Sequence, residues 1–273
     1  MKISIIIPVG DKAAWGVCEE SIQASITAYR GDVVAEVLPC WDLEHRGAYI
    51  ARNEGLAQAT GDWIAWVDCD DVVERNWFSE IAGAIAAHSE ADIIQFEATE
   101  VKDGKERPLP YRYKGNVTGD AFARELLRND GMPAWLWTRV FRRKLFDGMS
   151  FDGRVKQDYR MFLRILPRVK KVWSIGRPLY RYIRHGHGLS NYVQSMNYHE
   201  AGNDFEKLID ELPAEWRSDA KIGLALTMAD VALHSEEQNG SVQFVRRYLW
   251  RVLLDFRVSV RLKCKAILSA IRF

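Results

Sequence analysis

Short apolar runs alternate with stretches whose apolar residues recur every three or four positions, the signature of strands alternating with helices. K-I-S-I-I-I-P at Lys2–Pro8 predicts a buried strand ended by its proline. A helix is predicted over Trp15–Tyr29, a second strand over Val33–Leu38 and a second helix over Ala48–Ala59. Thr60-Gly61 reads as the stop of that helix, with glycine in the left-handed conformation that closes a last turn. Trp63–Val67 is then a short apolar run suited to a buried parallel strand. Strand, helix, strand, helix, strand begins a doubly wound α/β sheet.

Further along, Trp77–His88 predicts a helix, Asp92–Phe96 a strand, and K-D-G-K-E-R-P-L-P a polar loop. Thr118 is a candidate N-cap for a helix over T-G-D-A-F-A-R-E-L-L-R. The segment P-A-W-L-W-T-R-V-F-R-R-K-L-F mixes aromatics with cations. It fits either a strand packed on the core with its arginines in solvent, or a wall on which Trp135 and Trp137 stack on a sugar ring. K-Q-D-Y-R-M-F-L-R-I-L reads as an amphipathic helix opened by Asp158. K-V-W-S-I is a strand, and P-L-Y-R-Y-I-R-H-G-H-G a glycine-rich cationic loop. Beyond Tyr198 the pattern is helical only, which places a boundary between residues 1–197 and 198–273.

The run Trp63–Val67 ends in Asp68, Asp70 and Asp71. Ligands of open α/β sheets bind beyond the carboxyl ends of the strands, and carboxylates crowded there repel unless a cation or a proton lies between them. Oxygen ligands of this kind suit magnesium or manganese shared with substrate phosphates. A helix cap at Asp71 is the structural alternative, but a cap needs one such residue and three are present.

Composition adds less. Hydrophobic residues at 48% and charged residues at 27% are ordinary for a globular protein, while ten tryptophans and ten tyrosines suit sugar or membrane contact. Cys18, Cys40, Cys69 and Cys264 have no C-x-x-C spacing, so neither a zinc site nor a disulfide framework is expected, and a reducing cytosol fits. The N-terminal apolar run is too short for a signal peptide, and no stretch reaches spanning length. Net charge is +1, yet residues 241–273 carry eight basic groups against Asp255 alone. Such asymmetry points to a negatively charged partner. Val245, Leu249, Val252, Leu253, Phe256, Val260, Cys264, Ile267 and Ile271 fall on one stripe of a single helix, with Arg247, Arg251, Arg261, Lys265 and Arg272 on another side. The expectation is an interfacial helix on an anionic membrane, rather than a nucleic-acid contact, with packing on the protein's own core or on a second subunit as the competing reading.

Taken together, S-I-I-I-P-V, A-R-N-E-G-L-A-Q-A-T-G-D-W-I-A-W-V-D-C-D-D, W-T-R-V-F-R-R-K-L-F, and Q-D-Y-R-M-F-L-R with P-L-Y-R-Y-I-R-H resemble the family 2 glycosyltransferases over residues 1–190. The resemblance implies a GT-A fold, a Rossmann-like mixed sheet here followed by a C-terminal helical extension. It also implies a nucleotide-diphosphate-sugar donor, a Mn2+ or Mg2+ ion, and inversion at the anomeric carbon. By the same resemblance Asp70 is the direct metal ligand, Asp68 lies nearer the ribose and the metal's water shell, and Asp71 extends the acidic cluster. Asp158 matches the family's catalytic base, with Gln157 standing where a glutamate is usual. Arg181, Arg184, His185 and His187 resemble the cationic segment over the diphosphate, and Arg52 and Asn53 the polar contacts to the nucleotide; Asn53 is equally readable as structural. Family members usually place another helix and strand before R-N-x-G, whereas only P-C-W-D-L-E-H-R-G-A-Y-I-A separates Leu38 from Arg52. Asp42 is the candidate nucleobase contact in that shortened segment.

The function so implied is transfer of a sugar to a glycan or lipid-linked acceptor in surface polysaccharide synthesis, in the cytoplasm and peripheral to the inner face of the membrane. D-C-D-D-V-V also resembles the motif of haloacid-dehalogenase-like phosphatases, where it normally follows the first strand rather than, as here, two earlier strand candidates. A catalytically degenerate GT-A domain acting as a binding protein is the third reading, motivated by Gln157 and the shortened segment.

Overall fold

A computed structural model describes residues 1–111, 113–128, 133–152, 156–184, 198–234 and 240–271. Strand β1 (Lys2–Val9) is buried on both faces, and β2 (Val34–Trp41) and β3 (Trp63–Trp66) flank it, both parallel. Helices α1 (Lys12–Ala28) and α2 (Ala48–Gln58) make the crossovers, as expected from the sequence. The proline does not end β1. Ile6 gives its carbonyl to Val67, so Pro8, two residues on, faces the same side, where the pairing with β3 has already stopped at Trp66. A residue without an N–H loses no ladder bond there. Pro39 is tolerated within β2 because that strand is the border of the sheet. Gly61 also has a different reason from the expected one. Its φ is not positive; a Cβ there would lie 2.6 Å from the Ser4 nitrogen, so glycine is required by close approach to β1.

Beyond β3 come β4 (Val72–Val73), α3 (Trp77–Ala87), β5 (Ile93–Lys102), β6 (Lys105–Leu109), β7 (Gly115–Thr118), β8 (Arg139–Arg142) and β9 (Lys171–Ile183). Among the described residues they form one nine-stranded mixed sheet in the order β2-β1-β3-β8-β5-β9-β4, with β6 on β5 and β7 on β9. Strands β6 and β7 occupy segments with no predicted strand, the first of them within the predicted polar loop. β9 joins the predicted strand and the first part of the predicted cationic loop into a single strand. Since β8 is antiparallel to β3 and to β5, and β9 parallel to β5, the carboxyl ends of β1, β2, β3, β5 and β9 share one side of the sheet.

The tryptophans serve this core more than any surface. Trp63, Trp66 and Trp77 are almost fully buried, and α1 and α3 cover one face of the sheet with Trp15, Ile22, Trp77, Phe78 and Ile81. The basic run that ends β8 is tied to its neighbours, although Arg143 and Lys144 are exposed. Arg142 donates to the Ala91 carbonyl (2.8 Å) and lies over the Trp63 ring, Arg143 donates to the Gly61 carbonyl (2.8 Å), and Lys144 pairs with Asp92 (3.4 Å).

The chain divides into two compact units: one holds the nine strands with α1–α3, the other α4 (Gly119–Arg128), α5 (Gln157–Ile165), α6 (Tyr198–Glu211), α7 (Arg217–His234), α8 (Ser241–Leu254) and α9 (Val260–Ile271). The helical unit therefore begins within the first 197 residues and not at Tyr198. Its internal contacts explain why: the Tyr159 hydroxyl donates to the Leu127 carbonyl (3.1 Å), Trp216 Nε1 donates to Asp120 (2.7 Å), and buried Asp219 pairs with Arg124, Arg128 and Arg257. The expected single tail helix is two helices. The chain leaves the helix at Asp255, whose carboxylate accepts from the Arg257 N–H (2.8 Å), and α8 and α9 pack on α7 and on each other.

Glu36 ties the start of the sheet together. Its carboxylate accepts from Ser4 Oγ (2.5 Å), Thr60 Oγ1 (2.5 Å) and Thr60 N (2.8 Å), which links β2 to β1 and to the turn entering β3. Burial alone would raise its pKa; the hydrogen bonds from Ser4 and Thr60 outweigh burial and lower it from 4.5 to about 2. A lowered folded-state pKa contributes stability that is present above the unfolded value and lost as pH falls toward the folded one. Thermal melts should therefore show the wild type losing stability between about pH 4.5 and 2, with a shallower loss in Glu36→Gln; identical pH profiles would contradict the role given to Glu36.

Candidate functional site

Strand β3 delivers Asp68 just past the carboxyl end of the parallel strands, where β1 and β2 also end. The three carboxylates then part company. Asp71 turns inward and is 2% exposed: its Oδ2 accepts from the Tyr180 hydroxyl (2.8 Å) and its Oδ1 from the Ile183 N–H (2.7 Å). Burial first, and then the charge of Asp68, push its carboxyl up to about 9. Asp68 is half-buried and faces Arg52, whose Nη2 lies 3.5 Å from Oδ1. Asp70 is exposed. The backbone between them is a tight turn, with the Asp71 N–H on the Asp68 carbonyl (3.1 Å).

Arg52 and Asn53 enter from α2 with different duties. Arg52 is 13% exposed, between Asp68 and the Phe151 ring. Asn53 clamps the Phe151 backbone in both directions, donating to its carbonyl (2.8 Å) and accepting from its N–H (2.7 Å), so its amide holds the fold. Asp42, expected at the nucleobase, is buried with its oxygens on the loop that follows it: Oδ1 accepts from Arg46 N (3.0 Å) and Oδ2 from Gly47 N (2.7 Å). Burial opposes ionisation of Asp42, but the amides of Gly47 and Arg46 outweigh it and hold the carboxyl below its usual range. It organises the short segment that replaces the missing helix and strand.

The aromatic wall is largely internal. Trp137 is 5% exposed and stacks with Trp135 (4.8 Å between centroids), Tyr180 (4.6 Å) and Tyr182 (5.4 Å), so it is a core ring and not a sugar platform. Trp135, at the end of that stack, is partly exposed. Arg181 pairs with Glu106 (2.5 Å) and Glu74 (3.5 Å), and Arg184 with Glu100 (3.5 Å). His185 and His187 lie outside the described residues. Asp158 belongs to the helical unit. It stands in the first turn of α5, a helix that starts at Gln157 after Lys156 in the left-handed conformation, so Asp158 lies within the helix rather than opening it. Tyr180 escaped the sequence reading. Its one signal was the position of a tyrosine in an alternating strand, because a buried tyrosine needs a partner for its hydroxyl.

Among the described residues no group of three or more His, Cys, Asp or Glu side chains could hold a metal alone. Magnesium is commonly held by one or two carboxylates plus substrate phosphates. Asp68 and Asp70 fit that arrangement; Asp71, with both oxygens engaged by β9, fits it less.

Residues 42–149 match the family described as Glycosyl transferase family 2. Over that segment the chain is similar to the family 2 glycosyltransferases. The matched segment includes Arg52, the acidic turn, Trp135 and Trp137, whereas Asp158, Arg181 and Arg184 lie beyond it. Two crystal structures of S. aureus TarS residues 1–349 share the fold, GT-A. The one with UDP-GlcNAc has a TM-score of 0.68 at 12% identity, over 100% of this chain and 89% of that one. The one with UDP has a TM-score of 0.66 at 14% identity, over 98% and 87%. The glycosyltransferase GlyA of Streptococcus pneumoniae serotype 4 (strain ATCC BAA-334 / TIGR4) is 23% identical over 163 residues, 53% of this chain and 22% of that protein. The match thus spans about a fifth of that curated relative's length.

Proposed function

We propose that the protein transfers a sugar from a nucleotide-diphosphate donor to a hydroxyl of a glycan or lipid-linked acceptor, with inversion, in surface polysaccharide synthesis. The observation that carries this reading is the Asp68–Asp70 turn facing Arg52 at the carboxyl end of β3, inside the segment that matches the family. Asp68 and Asp70 would hold Mn2+ or Mg2+ against the donor diphosphate. Such a cation, when bound, screens the charge that grows on the departing nucleoside diphosphate. Arg52 orients the Asp68 carboxylate and neutralises part of the acidic turn before any donor arrives. Asp158 is assigned the base, on the strength of the Q-D-Y-R match. It takes the proton of the acceptor hydroxyl as that oxygen bonds to the anomeric carbon and the carbon–phosphate-oxygen bond breaks with its electrons on the diphosphate. Arg181 near the end of β9 and Arg184 just past it are assigned to that diphosphate, which would have to draw them from Glu74, Glu106 and Glu100, and the partly exposed Trp135 ring is assigned to an acceptor sugar.

The surface of α8 and α9 supports a membrane-side location. Trp250, Leu253 and Leu254 on α8, Phe256 in the turn, and Val260 and Leu268 on α9 are exposed, Phe256 by 91%. Their helical spacing sets them on one stripe of each helix, and Arg261 and Lys263 add charge to α9. The partner of that surface is an anionic lipid face, the inner leaflet of the cytoplasmic membrane. No helix among the described residues is long and apolar enough to cross a membrane.

Three measurements test these assignments. Calorimetry with UDP should show much tighter binding with manganese than with chelator, and Asp70→Asn should lose the difference; equal binding in both conditions removes the metal assignment, and no nucleotide binding at all favours the non-catalytic reading. Asp158→Asn should cut turnover by roughly two to four orders of magnitude while leaving donor affinity nearly intact; a product that retains the donor's anomeric configuration in proton NMR contradicts the scheme. The intact protein should co-sediment with anionic vesicles, less so in high salt, and Leu254→Glu with Phe256→Glu should prevent it. No sedimentation of the wild type at low salt would show that this surface meets something other than lipid.

A further inference from the structure

One residue outside the family match connects the core to the acidic turn. Tyr180 is wholly buried in β9, its ring stacked 4.6 Å from Trp137 and its strand paired to both β5 and β4. A phenylalanine would fill that space and stack equally well. The hydroxyl is used for something else: it accepts from the Asp68 N–H (3.1 Å) and donates to Asp71 Oδ2 (2.8 Å). It therefore grips the first and the last residue of D-C-D-D at once, while Asp71 Oδ1 takes the Ile183 N–H from the same strand (2.7 Å). The Asp68 carbonyl is held from the other direction by the Asp71 N–H (3.1 Å) and the Cys18 thiol (3.6 Å). Residues 68 and 71 are thus fixed at the backbone, which sets where the Asp68 and Asp70 side chains start.

We propose that Tyr180 is a positioning residue for cation binding: its hydroxyl, braced by the aromatic stack, sets the backbone from which Asp68 and Asp70 reach a divalent ion held against a nucleoside diphosphate. This rests on the reading that those two carboxylates take the cation. Outer groups that orient first-contact ligands commonly change metal affinity by about 10–100-fold when removed, and an anchor acting through a backbone N–H belongs with them. The alternative is that the hydroxyl only satisfies a buried carboxylate, in which case its loss lowers stability and nothing more.

The test is calorimetry of UDP, with manganese and with chelator, on wild type and Tyr180→Phe, at a temperature well below both melting points. The manganese-dependent gain in UDP affinity should fall about 10–100-fold in the variant, and binding in chelator should not change. An unaltered gain, whatever the melting point, overturns the proposal. To guard against poor folding, the same substitution is placed in an Asp71→Asn background, which cannot ionise and keeps an acceptor for Ile183. Comparison with Asp71→Asn alone separates the two partners of the hydroxyl: a further loss on adding Tyr180→Phe supports action through Asp68, and no further loss overturns it. Absence of any manganese effect in the wild type removes the donor reading and this inference together, whereas a wild-type effect that survives in Tyr180→Phe removes this inference alone.

Discussion

Mutual repulsion of the carboxylates that end β3 is the constraint on which the rest of this unit depends. Three acids in four residues cannot all stay ionised side by side in a half-buried place, and the fold separates them by direction. Asp71 goes into the core, where burial and the charge of Asp68 favour its protonated form. Asp68 faces the Arg52 guanidinium, and Asp70 is exposed. The crowding that suggests a metal in the sequence is thus relieved in part by one proton and one arginine. What would remain for the proposed cation is a smaller negative charge than three aspartates imply, so phosphate oxygens from a donor would have to complete its coordination.

The sheet exists to hold that turn in place from several strands. Glu36 locks β2 and β1 to the turn that enters β3. Tyr180 and the Ile183 N–H lock β9 to the turn that leaves it. Between these, β8 runs antiparallel beside β3 and carries the Trp135–Trp137 stack to the same side of the sheet. Aromatic rings suit this duty because stacked, buried rings have few alternative rotamers, so a polar group attached to one is placed rigidly. The abundance of tryptophan, which in the sequence suggests sugar contact, is mostly explained by this.

The first three strands, their crossover helices and the acidic turn were legible because each is a local pattern: an apolar run, a helical period, a cluster of charge. The failures have one common cause, namely partners distant in sequence. Pro8 looks like a strand terminator until the register with β3 shows that its missing N–H faces no neighbour. K-D-G-K-E-R-P-L-P looks like a loop because it is polar, yet Asp103 and Gly104 both have positive φ and join β5 to β6 in a tight hairpin. The D-G pair was the available signal. Asp42 and Asn53 are chemically suited to a ligand, and only the structure shows that their hydrogen bonds already go to Gly47 and Phe151. Asp71 belongs to the same class. A polar residue at the correct place in a motif is ambiguous until its partners are known.

The C-terminal region carries the same lesson about charge. Eight basic groups against one acid in residues 241–273 suggest a strong electrostatic attraction to an anionic surface. The helical unit uses part of that charge itself: Arg247 pairs with Glu206, Arg257 with Asp219 and Asp255, and Lys265 with Asp230. A basic residue near an anionic membrane contributes about 1 kcal/mol, and a cation already paired within the fold contributes less. The exposed apolar side chains are not offset in this way. Leu254, Phe256 and Val260 are all at least three-quarters exposed around a turn whose helices bury their other sides on α7. Burial of such side chains yields about 1.5–3 kcal/mol each when complete. On the proposed reading that this surface meets lipid, insertion of the turn would contribute more than charge to holding it there.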